Sequence, residues 1–400
     1  MAKMNRREFL AMAGVAPLGL AFGENYSNNT NSQSKNPGEL FDPWLEINTK
    51  NFAWNVSQVR KRVANRPIMA VIKCNGYGHG LVGTAKALEQ QNIQHFAVVK
   101  VTEAVDLRTN KINGMILNFG SFSRPEAEQV VQHDISQSVF SETVEILAAA
   151  ARKLKKQAKV HIKVDTGLGR VGVPYYQALP FIEKVASMPD IAIEGIFTTL
   201  TEDKEFDKVQ IKRFVQVCDA AEKKGISVGI RHAASSLAVA NYPGSFLDMV
   251  RPGNCLYGLE PLPNLDLKPV MSLKTRVLYV KKMRPGETVA YHQRYKIEKE
   301  TLLATLPLGY SDGYPHRVVD RGEVLIRGRR LPMVAYMSAN HVFVDITSSK
   351  GIKIGDEVVL FGEQNGKKIT INEVAKWGDS SVYKVAIKMN PLLPRIYLDG

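Results

Sequence analysis

Short apolar runs recur along the chain from residue 41, and each is followed by a stretch with helical spacing of apolar and polar residues. Such runs, separated by helical segments at 142–157, 175–186 and 208–224, are typical of buried strands in a parallel sheet. Eight strand-and-helix units predict an α/β fold, a (β/α)8 TIM-type barrel over residues 41–268. The predicted strands are Ile68–Lys73, His95–Val99, Gly114–Phe119, Ser136–Phe140, Val160–Val164, Ile193–Thr198, Ser227–Arg231 and Asp248–Val250.

The pattern changes after about residue 269, where helical spacing disappears and alternating, strand-like segments appear. Examples are Thr275–Lys281, Thr301–Leu306 and His341–Ile346, and turn pairs such as Asn365-Gly366 separate some of these segments. We therefore predict that residues 269–400 form a second domain, which is all-β and follows the barrel.

The first 40 residues differ from both domains. Residues 1–23 combine a charged start, containing Arg6 and Arg7, with a short apolar region and small residues near its end. This is typical of a signal peptide, and the paired arginines favour export by the twin-arginine pathway. An ordinary secretory signal or an uncleaved lipid anchor is the alternative. Residues 24–40, rich in Asn and Ser, are predicted to be a linker. Because the signal peptide would be removed on export, the mature protein would be periplasmic and free of the membrane.

Polar residues follow the carboxyl ends of the predicted barrel strands, where TIM barrels carry their chemistry. Lys73 ends the first apolar run, and a lysine in such a partly dry place can lose its proton and form a Schiff base. Glycines near the last two strands are typical of a phosphate site, and phosphate with a Schiff-base lysine predicts pyridoxal 5'-phosphate (PLP). The other residues at this rim are Tyr77, Arg170, His232, Ser236, Arg251, Gly253 and Asn254.

Composition excludes other classes of function. The net charge of +14 allows nucleic-acid binding, but the basic residues are scattered, and their one dense run, at 153–159, lies on a predicted surface helix. We therefore predict no nucleic-acid partner. Cys74, Cys218 and Cys255 have neither metal-site spacing nor a disulfide framework, so no metal site is expected, and one disulfide stays open if the protein is exported.

Five motifs, in one order and spacing, resemble those of the alanine racemase family of fold-type III PLP enzymes. The resemblance covers about residues 44–397, and shorter matches at 307–314, 382–383 and 394–397 complete it. The five motifs are AVIKCNGYGHG at 70–80, KVDTGLGR at 163–170, HAASS at 232–236, VRPGNCLYG at 250–258 and GETVAY at 286–291.

The resemblance implies an amino-acid racemase with two bases, one on each face of the substrate: Lys73, which also carries PLP, and Tyr291. Arg251 would meet the pyridine nitrogen, and because an arginine does not give up its proton, return of the substrate proton is favoured over transamination. Cofactor contacts are implied for Lys73, Tyr77, Arg170, His232, Ser236, Arg251, Gly253, Asn254 and Tyr383, and substrate contacts for Arg170, Tyr310, Ala339 and Asn340.

Several positions depart from the family pattern. Thr199 stands where the family usually has a histidine near the cofactor ring, and Ala339-Asn340 replaces a Met-Asp pair. With the export signal, these changes favour broad specificity that includes alanine and larger or basic amino acids, and a strict alanine racemase is the alternative. Whether Lys163 is carbamylated, as a matching family lysine can be, stays open.

Two other functions compete with a racemase. A PLP-dependent decarboxylase on the same architecture is expected to place a carboxylate, not Arg251, at the pyridine nitrogen, and a non-catalytic PLP carrier would lack the second domain. Tyr291 lies far along the chain from Lys73, and in the family this tyrosine reaches the partner's active site. The resemblance therefore implies a head-to-tail homodimer with shared active sites.

Overall fold

The computed structural model describes residues 42–398, so the predicted signal peptide and linker lie outside the described residues. Within that range, the structure contains no helix with the length and apolar character needed to cross a membrane. Among the same residues, no group of three or more His, Cys, Asp or Glu side chains is placed to hold a metal ion. Cys74, Cys218 and Cys255 are free thiols.

Strands and helices alternate in the first two thirds of the described chain. The strands are β1 (Trp44–Asn48), β2 (Met69–Val71), β3 (His95–Val98), β4 (Met115–Asn118), β5 (Ser136–Val139), β6 (Ala158–Asp165), β7 (Val173–Pro174), β8 (Ile191–Phe197) and β9 (Ile230–His232). The helices are α1 (Thr49–Arg62), α2 (Leu81–Glu89), α3 (Val101–Thr109), α4 (Arg124–Gln132), α5 (Val144–Leu154), α6 (Ala178–Ala186), α7 (Lys204–Lys223), α8 (Ser236–Asn241) and α9 (Asn254–Tyr257).

Parallel strands form a closed barrel. The order is β2-β3-β4-β5-β6-β8-β9, and the short strand β7 pairs with β6. The eighth predicted strand is reduced to isolated parallel bridges, in which Met249 pairs with His232 and Val250 pairs with Ile68. The Met69 amide donates to the Val250 carbonyl at 2.9 Å, which joins the last segment to the first strand. The barrel predicted from the apolar runs is therefore confirmed.

Side-chain caps fix where several helices begin. Asn48 accepts a bond from the Asn51 amide at the start of α1, and Asp203 accepts bonds from the first amides of α7. At α4, Ser123 and Glu126 form a reciprocal capping box. Such caps satisfy amide groups that have no partner inside the helix.

The second domain is rich in antiparallel strands. Its strands are β10 (Met271–Arg276), β11 (Tyr279–Met283), β12 (Thr288–Val289), β13 (Tyr295–Lys296), β14 (Thr301–Leu306), β15 (Glu323–Ile326), β16 (Arg329–Met337), β17 (Val342–Asp345), β18 (Glu357–Gln364), β19 (Lys367–Ile369) and β20 (Arg395–Leu398). The main sheet has the order β11-β14-β17-β16-β15-β18-β10-β1-β20, with β19 beside β18. Strand β1 thus joins this sheet, so both ends of the described chain meet there.

Two details of this domain differ from the sequence pattern. The segment predicted as one strand at 275–281 is two, because Val277 bonds to the Asp356 carbonyl while Leu278 bonds to the Thr305 carbonyl, and the chain changes neighbours between them. Two short helices, α10 (Ile371–Trp377) and α11 (Val382–Lys388), add to the predicted strands. Each helix begins after a residue whose side-chain hydroxyl caps its first turn. The rest of the domain is rich in strands, as predicted.

The second domain packs against the turn that follows β2. Arg395 Nε donates to the Gly78 carbonyl at 2.9 Å, and the Tyr397 hydroxyl donates to the His79 carbonyl at 2.7 Å. Gly78 has a φ of +83°, and a Cβ at this position would lie 1.9 Å from the Ala386 carbonyl oxygen. Glycine at this position therefore permits the close approach of α11.

Candidate active site

Lys73 lies two residues after the end of β2 and begins a turn with a left-handed backbone. The next four residues, 74–77, all have positive φ angles between 50° and 61°. The Gly76 amide donates to the Ile72 carbonyl at 2.9 Å, and the Gly78 amide donates to the Cys74 carbonyl at 3.0 Å. A left-handed conformation costs about 1–2 kcal/mol for each residue with a side chain. Strain of this size is typical of a functional site that its surroundings hold in place.

Arg251 is buried at the centre of the rim, with 6% of its surface exposed. Its Nη2 donates to the carbonyls of Thr198 (2.7 Å) and Ala233 (3.0 Å), and its Nη1 lies 2.9 Å from His232 Nδ1. Within residues 42–398 no carboxylate pairs with it, and burial lowers the pKa of Arg251 to about 9. The guanidinium is therefore charged at neutral pH and is held by neutral acceptors alone.

Two buried histidines extend this network. His232 Nε2 lies 2.8 Å from His161 Nδ1. Because arginine can only donate, His232 Nδ1 must accept from Arg251, so His232 carries its proton on Nε2 and donates it to His161. Burial, followed by the charge of Arg251, lowers the pKa of His161 to about 3 and the pKa of His232 well below its usual value. Both rings are neutral, and their tautomers are fixed by Arg251.

Lys163 is the second lysine of the site. It lies in β6, where its Nζ donates to Thr199 Oγ1 at 3.0 Å and stands 4.9 Å from the centre of the Phe197 ring. Burial, followed by the charges of Arg251, Arg170 and Lys73, lowers the pKa of Lys163 to about 7. Lys73 and the exposed Arg170 thus belong to the same positive field, which suits an anionic ligand.

Amides and hydroxyls gather at the start of α8 and α9. Ser236 Oγ accepts from the amides of Gly253 (2.9 Å) and Cys255 (3.3 Å). A Cβ at Gly253 would lie 2.7 Å from the Tyr77 hydroxyl, so the absence of a side chain leaves a small polar space between these groups. Asn254, which donates to Glu260, lies beside this space. The hydroxyls and backbone amides around this space are the kinds of group that bind the phosphate of PLP.

Tyrosine side chains complete the phosphate end. The Tyr77 ring centre lies 4.9 Å from that of Tyr257 and 5.9 Å from that of Tyr383, which α11 contributes from the second domain. Burial raises the pKa of Tyr77, and it raises the pKa of Tyr383 to about 12. Both hydroxyls therefore stay protonated and can donate hydrogen bonds to a phosphate.

The remaining predicted residues lie on a separate face of the second domain. Tyr291 is 69% exposed, and its ring packs edge-on against Tyr336 at 6.1 Å, in an open cavity of about 500 Å³. Tyr310 is 53% exposed, and its amide donates to the Ser338 carbonyl beside Ala339 and Asn340. Among residues 42–398, neither a hydrogen bond nor a ring contact joins Tyr291 to Lys73. The structure thus brings the predicted cofactor residues together but leaves Tyr291, Tyr310, Ala339 and Asn340 apart from them.

Comparison with known proteins decides the family. A model of the alanine racemase N-terminal domain matches residues 47–261, and a model of the C-terminal domain matches residues 270–397. The chain belongs to the alanine racemase family. The family indicated by the sequence motifs is thereby confirmed, and with it the class of enzyme, an isomerase, and the cofactor, PLP.

Similarity to individual alanine racemases extends over both domains. The alanine racemase of Clostridium tetani is 35% identical over 370 residues, covering 89% of this chain and 96% of that protein. The alanine racemase of Desulforamulus reducens is 36% identical over 367 residues, covering 89% of this chain and 98% of that protein. The solved structure of the alanine racemase of Clostridium difficile 630 superposes with a TM-score of 0.84 at 31% identity, covering 89% of this chain and 95% of that one.

Sequence reasoning missed two residues that the structure places in the site. His161 lies two residues before Lys163 in β6, and the alternation of a strand indicates that both side chains point into the barrel. Glu103 lies in the first turn of α3, yet its carboxylate contacts the turn that carries Lys73. The strand period could have found His161, whereas the contact made by Glu103 depends on the packing of two barrel units.

Proposed function

We propose that the protein is a PLP-dependent racemase of free amino acids, alanine among them, which uses Lys73 and Tyr291 as its two bases. The observation that carries this proposal is the environment of Arg251, which is buried, charged and bonded to neutral acceptors. A cation in this place cannot supply a proton to the cofactor ring as a carboxylic acid would. This favours return of a proton to the substrate and counts against the decarboxylase.

The two bases would act from opposite faces of the substrate. PLP, when bound, withdraws electrons from the substrate α-carbon and so weakens its bond to hydrogen. Lys73 Nζ would remove or return the proton on one face, and Tyr291 Oη would do so on the other. Arg170, exposed within the positive field, would bind the substrate carboxylate. Ser236, Tyr77 and Tyr383, with the open space at Gly253 and the neighbouring Asn254, would hold the phosphate.

The separation of the two proposed bases within one chain supports a homodimer. Tyr291 belongs to the second domain and makes no contact with Lys73 within the described part of its own chain. A tyrosine hydroxyl needs cationic neighbours to act as a general base near neutral pH. The positive rim around Lys73 in a partner subunit would supply them. We therefore propose a head-to-tail dimer in which each site receives Tyr291 from the other subunit.

Broad specificity is the proposal for the substrate range. Thr199 and Ala339 are small, and Asn340 is uncharged and exposed, with its amide bonded to Ser311 Oγ at 3.0 Å. These side chains would leave room for a substrate larger than alanine and place no charge that repels a basic one. Strict specificity for alanine is the competing proposal.

Two assays test the activity. Borohydride reduction followed by peptide mapping should place the cofactor on Lys73. A chiral product assay with L-alanine, L-lysine, L-arginine and L-methionine should then show racemisation of more than one of them. Racemisation of alanine alone would leave the strict alanine racemase, and carbon dioxide release without D-amino acid would support the decarboxylase.

Export to the periplasm is a separate proposal, which rests on residues 1–23. Replacing Arg6 and Arg7 together with lysine should retain the precursor inside the cell, because the twin-arginine pathway reads that pair. Fractionation followed by immunoblotting measures the outcome. Normal export of the double variant would indicate an ordinary secretory signal.

A further inference from the structure

Glu103 makes a contact that none of the proposed steps uses. It lies in the first turn of α3 and is half-buried. Its Oε1 accepts from the Asn75 amide at 3.0 Å, and its Oε2 accepts from the Val99 amide at 3.3 Å. One carboxylate therefore joins the loop before α3 to the left-handed turn that begins at Lys73.

The equivalent residue of the next helix shows that this contact is unusual. Glu126 is the third residue of α4, as Glu103 is the third residue of α3. Glu126 reaches back to its own helix cap and accepts from the Ser123 amide at 2.7 Å. A glutamate in this position ordinarily completes a capping box. Glu103 instead bonds to an amide in the preceding barrel unit.

The amide that Glu103 accepts from lies at the centre of the strained turn. Asn75 has a φ of +55°. Its side-chain Oδ1 accepts from the Leu81 amide at 2.8 Å, and its carbonyl accepts from the Gly80 amide at 2.9 Å. Asn75 thus links the turn to the start of α2 through its own oxygens, while its amide is linked to α3 through Glu103. A charged acceptor forms a stronger bond to such an amide than a neutral one.

We propose that Glu103 is a positioning residue for Lys73, which holds the left-handed turn so that the Lys73 amine and the Tyr77 hydroxyl keep their places at the rim. The inference rests on the proposed role of Lys73 as the cofactor lysine. Without this bond the three residues with side chains in the turn, Cys74, Asn75 and Tyr77, can relax toward the right-handed region, which they prefer. Lys73, directly before them, would then move relative to the cofactor.

The test compares Glu103→Ala, Glu103→Gln and Glu126→Ala in the full-length holoenzyme. Glu103→Ala should lower kcat by about 100-fold, the effect of misplacing a reacting group by about 1 Å, with a smaller change in KM. In Glu103→Gln the side-chain oxygen can still accept one hydrogen bond, so this variant should recover part of the lost kcat. Hydrogen exchange should become faster at the Asn75 amide in Glu103→Ala and stay unchanged in Glu126→Ala, whose kcat should match the parent.

Three outcomes would decide against the inference or its premise. Glu103→Ala with normal kcat and a protected Asn75 amide would overturn the positioning role. Equal losses of kcat and melting temperature in Glu103→Ala and Glu126→Ala would make Glu103 a helix cap only. Lys73→Ala, measured in parallel, tests the premise: if it still racemises, the proposed role of Lys73 fails, whereas the exchange at Asn75 still reports the contact itself.

Discussion

The two halves of the proposed chemistry lie on the barrel rim around Lys73 and on the face of the second domain that carries Tyr291 and Tyr310, here called the tyrosine face. These two regions are built in opposite ways. At the rim, Arg251 and its histidines are buried and joined to one another by hydrogen bonds within the chain. On the tyrosine face, Tyr291 is 69% exposed and follows Ala290, whose φ is +65°. A positioned rim and an exposed tyrosine are the features expected when one half of a site is completed by another subunit.

The two regions also rest on different cores. The rim is supported by the main apolar core, which runs through the barrel and the larger sheet. The loop that carries Tyr291 lies above a small cluster of five buried residues, formed by Met283, Val289, Ile297, Leu303 and Val334. Changes at the rim should therefore affect stability and cofactor binding together, whereas changes at Tyr291 should affect catalysis alone.

Tyr291→Phe gives the largest expected effect on activity. Loss of a general acid–base group should lower kcat by about 10²–10⁴-fold. Because the hydroxyl is exposed, the free energy of unfolding should change by no more than about 0.5 kcal/mol. Chiral assay and thermal unfolding measure the two quantities. Tyr176→Phe, at a residue 71% exposed on the barrel, is the matched control and should leave both unchanged.

Arg251→Leu should lower stability as well as activity, whereas Tyr291→Phe lowers activity alone. It leaves three buried acceptors without a donor, and each such group costs about 1–3 kcal/mol. We expect lower stability, weaker PLP binding and loss of racemisation. Arg108→Leu is the control, because Arg108 bonds to four backbone carbonyls elsewhere in the barrel, those of Ile112, Gly114, His133 and Asp134. That variant should lose stability yet keep its cofactor spectrum; equal spectra in both variants would contradict the role given to Arg251.

Lys163 predicts a pH-dependent difference in stability at the rim. Its pKa is lowered from 10.5 to about 7, so below pH 7 the lysine is charged in both the folded and the unfolded state, and the cost of burying the charge is fully present. Between about pH 7 and pH 10 the folded state releases the proton first, and this cost disappears. Lys163→Met should therefore raise the melting temperature most at pH 6, with a gain that shrinks toward pH 10.

The exposed Lys212 supplies the control for that series. Lys212→Met should give a difference in melting temperature that does not vary with pH. A gain in Lys163→Met that stays constant from pH 6 to pH 10 would show that Lys163 is not buried as a charge.

Thr199→Val gives the smallest expected effect. It removes the hydroxyl that accepts from Lys163 Nζ at 3.0 Å while keeping the shape of the side chain. A bond to a charged group contributes about 1.5–3 kcal/mol, and the loss should approach the lower figure because Lys163 is partly neutral. Thr199→Ser keeps the hydroxyl and should retain the stability that valine loses. Equal stability of the two variants in urea unfolding would remove Thr199 from the network.

The barrel could be predicted from the sequence because the spacing of apolar residues that marks each strand and helix is a local property of the chain. Apolar runs and helical spacing gave seven strands close to their observed positions, and Asp248–Val250 marked the segment that closes the ring. The helices α10 and α11 were not predicted, since they are short and lie between strands. The place of β1 in the second sheet was not predicted either, because it depends on contacts with residues at the far end of the chain.

In the candidate site, too, residues marked by a local pattern could be predicted, and residues that depend on distant contacts could not. Lys73, His232 and Arg251 each stand at the end of a predicted strand, and Arg170 lies in the loop after another. The barrel alone therefore places them at one rim. Tyr383 and the residues around Tyr291 entered through the family motifs, because no local pattern relates a second-domain tyrosine to the rim. Glu103 was missed for a physical reason: its partner is an amide, and every residue type except proline has one.

Complementation between inactive subunits tests the central claim most directly. Lys73→Ala and Tyr291→Phe should each be inactive alone, and mixed dimers should contain one site with both intact bases. Random mixing should then restore about a quarter of the parent activity, because half of the dimers are mixed and each has one of two sites intact. No recovery in verified mixed dimers would contradict the account and place both bases of each site in a single chain.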